Sequence, residues 1–251
     1  MPRTQRKRSE SGFYHVVTKG DGSQIIFEDD TDRVRYLKTL EMAADESGIA
    51  THAYCLMSNH VHLLVRDEKS ELSAFMKKLD EDYARYFSKK SARVGHVFNG
   101  RFWSEPVETD EHYLSALRYI HSNPEPANIC LARDYPWSSY RSYVADSSFV
   151  HTDFALQLLD GVQAFKSFHF SGGSFAMPFK GSSLRGHLTV DELARVAVCL
   201  LGRDVLASIK TLKPKDRLPH LEALSNAGFT VSEIARVTGI GQASVHRMLK
   251  S

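Results

Sequence analysis

The sequence predicts an α+β domain followed by a small all-α unit, and three observations carry that prediction. The run from Ala53 to Val65 alternates like a strand, with Val61, Leu63 and Val65 on one side and His60 and His62 together on the other. Residues 70–89 and 112–123 place apolar side chains at helical spacing. From Leu188 onward the periodicity is helical.

With 251 residues, 42% of them hydrophobic and 25% charged, the chain can bury a sizeable core and is expected to form two domains. The expected division is a first domain over residues 1–145, a linking or docking segment over 146–187, and a helical domain over 188–251. A net charge of +2 says little about partners, but its distribution says more. Arg3, Arg6, Lys7 and Arg8 form a basic arm, and Lys77, Lys78, Lys89, Lys90, Arg93 and Arg101 thicken the middle of the chain. Such clusters attract phosphate, although solvated helix faces carry lysines too. Cys55, Cys130 and Cys199 are odd in number and widely spaced, which argues against a disulfide framework or a Cys-rich zinc site. No apolar leader and no run of about 18 apolar residues occurs, so the expectation is a cytoplasmic protein without membrane partners.

His60 and His62, on one strand face, make half a metal site. The same pair also suits an ordinary solvated sheet face, so the metal reading needs a third donor. The second helical stretch is entered by Thr109 and Asp110 as caps, with Glu111 in its first turn, and stops before Pro124. Leu114, Leu117 and Ile120 form its apolar stripe; Tyr119 and Asn123, four apart, share another face. A phenol and a carboxamide can thus reach one ligand, with Asn123 offering a metal oxygen. Taken singly, Tyr119 is equally an edge-of-core tyrosine, and Asn123 a helix-end residue tolerant of left-handed dihedrals.

In the helix over residues 70–89, Leu72, Phe75, Met76, Leu79, Tyr83, Tyr86 and Phe87 read as core. Phe98, Phe102 and Trp103, beside Arg101, suit either packing or stacking on unpaired bases. Residues 168–183 are Gly- and Ser-rich and read as a linker whose phenylalanines dock. A capped helix start at residues 189–192 and a helix over 218–227 closed by Gly228 follow. Residues 230–250 resemble a helix-turn-helix with Gly239 in its turn. Ile234, Ala235, Ile240, Val245 and Leu249 would bury its interface, leaving Gln242, Ser244, His246 and Arg247 for a major groove. A plain helical hairpin is the alternative.

Four blocks recur in order: Gly12 to Val17 with Lys19-Gly20 and Ile26-Phe27; Met57 to Val65; Gly95 to Phe102; and Arg118 to Pro124 with Trp137 to Tyr140. On these blocks, over roughly residues 11–145, the chain resembles the single-tyrosine HUH transposase superfamily, and most closely its REP-associated tyrosine transposases. The resemblance implies a ferredoxin-like antiparallel sheet backed by helices, with His60 and His62 on a central strand. It implies Mg2+ or Mn2+ held by His60, His62 and Asn123, and Tyr119 as the nucleophile. In the family the tyrosine attacks single-stranded DNA, forms a 5′-phosphotyrosine link and releases a 3′-hydroxyl, so rejoining needs no ATP. The expected partner is single-stranded or hairpin DNA, with duplex DNA held by the C-terminal unit, and the chain acts as a monomer or homodimer.

One departure stands out: the insertion-sequence branch carries glutamine four residues after the tyrosine, whereas Asn123 stands here, as in the REP-associated branch. A regulator that keeps the fold without the reaction is the alternative function. A two-histidine hydrolase of small phosphates would need further carboxylates; Asp67 and Glu68 follow the pair too closely, which leaves Glu105 and Glu108.

Overall fold

The computed structural model describes residues 7–92, 95–125, 129–145, 149–170, 194, 197, 201, 203–226 and 229–249. The chain divides into two compact units, residues 1–124 with 130–169, and residues 125–129 with 170–251.

In the first unit β1 (Phe13–Lys19), α1 (Asp30–Ser47), β2 (Ala50–Leu56), β3 (His60–Arg66), α2 (Leu72–Lys90), β4 (Trp103–Pro106) and α3 (Asp110–His121) follow in order. The strands form one antiparallel sheet in the order β2-β3-β1-β4, the ferredoxin-like arrangement, so β3 and β1 are its inner strands. The strand-like run of residues 53–65 is in fact a hairpin, broken at 57–59, where Met57 N donates to His60 O. That turn is held from a distance: Ile26 N and Phe27 N donate to Ser58 O, and Gly20 N donates to Asn59 O.

Val16, Thr18, Val61 and Leu63 line the face toward α1 and α2, where Thr18 donates to Asp80 on α2. His15, Val17, His60 and His62 share the opposite face, where α3 packs. The helix over residues 70–89 appears as α2, with Leu72, Phe75, Met76, Leu79, Tyr83 and Phe87 buried as core. Asp67 opens it by accepting from the backbone N–H groups of Lys69, Glu71 and Leu72. Thr109 caps α3 as expected, accepting from His112 N. The buried side of α3 runs through Tyr113, Ala116, Leu117 and Ile120, while Leu114 is only half-buried.

The expected boundary at residue 145 falls too early. Residues 149–169 fold with the first unit through α4 (Asp153–Leu158) and α5 (Val162–Phe170). The reason is aromatic burial: Phe154 stacks on Phe13 at 5.2 Å, and Phe165 stacks on Tyr143 at 4.6 Å. The remainder of the expected linker and the capped start at residues 189–192 lie outside the described residues.

In the second unit, α6 (Arg203–Ser208), α7 (Pro214–Asn226), α8 (Val231–Thr238) and α9 (Gln242–Met248) are described. Leu221, Leu224, Phe229, Ile234, Ile240 and Val245 are buried in it, whereas Ala235 and Leu249 are only half-buried. Thr230 and Glu233 form a capping box on α8, and Gly239 takes a φ of 68° to turn the chain toward α9. Among the described residues, no helix is long and apolar enough to cross a membrane.

Candidate active site

The period of β3 and the period of α3 bring their side chains together on one sheet face. His60 and His62 meet edge to face, with ring centroids 5.0 Å apart, and both are buried. The half-buried ring of Tyr119 stands edge-on to His62 at 5.5 Å. One turn on, past the end of α3, Asn123 is buried, and its Nδ2 donates to Tyr119 O at 3.1 Å. Asn123 does not take the left-handed conformation, which among the described non-glycine residues is confined to Ser23, Ser70, Ala92 and Asp160. Its place is therefore not explained by backbone tolerance, and with the amide nitrogen engaged, the amide oxygen is its acceptor.

A third imidazole completes the cluster. His15, on β1 and fully buried, lies with Nε2 3.0 Å from His62 Nδ1, and its ring meets both Tyr119 and Trp103. Burial, with a smaller contribution from His112, pushes the His15 pKa down to about 3, so the ring is neutral. Sequence reading passes over His15; the signal that finds it is the pairing of Val17 with His62, which turns His15 to the same face.

The donor set suits a divalent cation that accepts imidazole and oxygen. His60 Nδ1 donates to Asn59 Oδ1 at 2.7 Å, and His62 Nδ1 faces His15, so a metal held by these rings would be bound through Nε2 of each. Among the described residues, no group of three or more His, Cys, Asp or Glu side chains is placed to hold a metal, so the set depends on an amide oxygen such as that of Asn123. Of the carboxylates that a small-phosphate hydrolase would need, Glu108 and Asp67 are engaged elsewhere, while Glu105 stands opposite His15 in the register of β1 with β4. Glu108 accepts from Ser9, Glu10 and Ser11, and Asp67 caps α2.

The candidate DNA contacts are distributed more widely. Lys7 and Arg8 are exposed, with the Arg8 guanidinium donating to Ser70 Oγ; Arg101 is exposed; Arg3 and Arg6 lie outside the described residues. Much of the basic run in the middle of the chain is balanced by carboxylates: Lys78 pairs with Glu46 at 2.8 Å, and Lys90 with Asp29 and Asp32 at 2.7 Å each. Those lysines match a solvated, ion-paired helix face. Phe98 is buried as packing, while Phe102 and Trp103 are half-buried. In the second unit Gln242, Ser244, His246 and Arg247 are all exposed on α9, and Val245 points inward.

The candidate site is thus an antiparallel sheet that carries two imidazoles facing a helical tyrosine. Residues 9–123 match the family described as Transposase IS200 like. Among solved structures the chain is similar to a REP-associated tyrosine transposase bound to a REP hairpin, at 14% identity, a TM-score of 0.47, and coverage of 61% of this chain and 92% of that one. It is also similar to a transposase from Deinococcus radiodurans R1, at 18% identity, a TM-score of 0.35, and coverage of 47% and 95%. No curated protein matches.

Proposed function

We propose that this chain is a single-strand DNA endonuclease and strand transferase of the REP-associated type, cleaving at or near DNA hairpins. In this reading Tyr119 is the nucleophile, and His60, His62 and Asn123 hold Mg2+ or Mn2+. The observation that carries it is the Tyr119 ring 5.5 Å from His62, within the stretch, residues 9–123, that matches the family described as Transposase IS200 like.

Tyr119 Oη attacks the phosphorus, the bond from phosphorus to the 3′-oxygen breaks, and that oxygen leaves as a hydroxyl. One phosphoester replaces another, so the 3′-hydroxyl can reverse the step without a nucleotide cofactor. The divalent ion, when bound, polarises the phosphate and offsets charge on its nonbridging oxygens. A phenol loses its proton near pH ~10, so Tyr119 needs help from its surroundings to react at neutral pH. The bond from Asn123 Nδ2 to Tyr119 O ties a ligand and the nucleophile to a single helix end. Lys7, Arg8 and Arg101, with Arg3 and Arg6, are assigned to the DNA backbone. Gln242, Ser244, His246 and Arg247 are assigned to a duplex major groove, the second unit working as a helix-turn-helix. Such a unit would raise the local concentration of a neighbouring hairpin by tethering.

The test is incubation of the full chain with labelled hairpin DNA from its own genomic neighbourhood and Mn2+, followed by a denaturing gel of wild type and Tyr119→Phe. A covalent adduct that disappears in the variant is the expected result. Tight binding with no adduct across several hairpins would replace this reading with that of a regulator lacking the reaction.

A further inference from the structure

We propose that His15 is a positioning residue for the transesterification: it holds His62 as the tautomer protonated on Nδ1, and so presents Nε2 of His62 to the divalent ion. The inference rests on the metal reading above and adds to it a residue outside the His60, His62, Asn123 and Tyr119 set.

The argument starts from hydrogen-bond bookkeeping. The 3.0 Å contact between His15 Nε2 and His62 Nδ1 has room for one proton. An imidazole that binds a metal through Nε2 carries its proton on Nδ1 and donates it to an outer partner, and that partner sets the tautomer and the ring's orientation. His15 can be this partner only as a neutral ring with Nε2 as acceptor. An imidazolium there would instead aim an N–H at His62 and place a like charge beside the cation, in a ring that is fully buried. Asn59 does the same for His60, accepting from Nδ1 at 2.7 Å. Each histidine of the pair thus has its own acceptor, one from the turn before β3 and one from β1.

His15 also meets the nucleophile. The centroids of His15, His62 and Tyr119 form a triangle with sides of 5.2, 5.5 and 5.8 Å. On its far side His15 meets the edge of Trp103, at 5.7 Å and 90°. Closely packed rings in staggered wells have little freedom to turn, so His15 is wedged among them. The ring that selects the His62 tautomer therefore also limits how Tyr119 can approach it. A core-filling role would account for the packing but not for the nitrogen-to-nitrogen contact.

The test uses the full chain. Long-range 1H–15N correlation of the imidazoles reads tautomers directly, with the His62 signals assigned by their loss in His62→Gln. Mn2+ affinity is measured separately, from the EPR signal of the free ion. The expected result is a wild-type His62 protonated on Nδ1. In His15→Leu that pattern is lost and Mn2+ binding weakens by about 10- to 100-fold. His15→Gln, whose amide oxygen can accept the same proton, restores most of the affinity. A wild-type His62 protonated on Nε2 overturns the inference even if Mn2+ binds, and this is read without any substitution, so it decides even where His15→Leu fails to fold. A folded His15→Leu chain with wild-type Mn2+ affinity overturns it as well. Absence of Mn2+ binding by the wild type overturns the metal reading instead, whatever the tautomers.

Discussion

Acid should destabilise the first unit well above the pH at which carboxylates titrate, because His52 and His169 are buried as neutral rings near opposite ends of α3. His52 Nδ1 is hydrogen-bonded to the Tyr113 hydroxyl at 2.9 Å, near the start of the helix. At the other end His169 Nδ1 donates to Phe165 O, which leaves its Nε2 to accept from His121 Nδ1 at 3.0 Å; His121 Nε2 then accepts from Ser139 Oγ. Each ring is only 5% exposed. Burial, assisted by His151 and Arg66, pushes His52 down to about 3. Burial also pushes His169 down, to about 4, against an opposing hydrogen bond to Phe165.

In the unfolded chain both rings take up a proton below about 6.5, whereas in the fold they stay neutral until about 3 and 4. Their stabilisation is therefore complete above pH ~6.5 and is lost as the pH falls toward the folded values. At pH ~5 the loss is on the order of 2 kcal/mol for each ring, or roughly 4 kcal/mol together, a large part of a typical stability of ~5–15 kcal/mol. Both tryptophans, Trp103 and Trp137, lie in the first unit, so tryptophan emission during urea unfolding reports on that unit. The comparison is wild type against the double variant His52→Gln/His169→Gln, whose amides can hydrogen-bond but do not titrate. Between pH 7 and 5 the wild type should lose about 4 kcal/mol more than the variant. Equal losses in the two chains would refute the argument.

Two further outcomes follow from other buried contacts. Asp80 Oδ1 is buried without a hydrogen-bond partner, and burial pushes this carboxyl up to about 7 against the opposing hydrogen bond from Thr18. A raised folded value means stability lost as the pH rises from about 3.8 to about 7, so Asp80→Asn should gain on the order of 2–4 kcal/mol at pH ~8 and lose that advantage near pH ~4, as read by urea titration. At Gly20, an added Cβ would run into the backbone oxygen of Gln24 and sit 2.9 Å from Ile26 Cγ2. Gly20→Ala should therefore cost about 1–3 kcal/mol of stability in thermal unfolding.

What is legible in the sequence is local, and what is not depends on partners far along the chain. His60 and His62 share a face because a strand has a period of two, and Tyr119 and Asn123 come within reach because a helix returns after about four residues. Both facts survive in the fold. The turn at 57–59 does not announce itself within an apolar run, because Gly20, Ile26 and Phe27 hold it from more than thirty residues away. The short helices α4 and α5 offer too few turns for a periodic signal, and they are fixed by aromatic contacts with Phe13 and Tyr143. His15 is the sharpest case. A period assigns a side chain to a face but never names its neighbour, and His15 becomes the partner of His62 only because β1 pairs with β3 in a register that sets Val17 opposite His62. A slip of one residue would send His15 to the face packed against α1 and α2, leaving His60, His62 and Tyr119 unchanged in sequence but removing the third imidazole from the site.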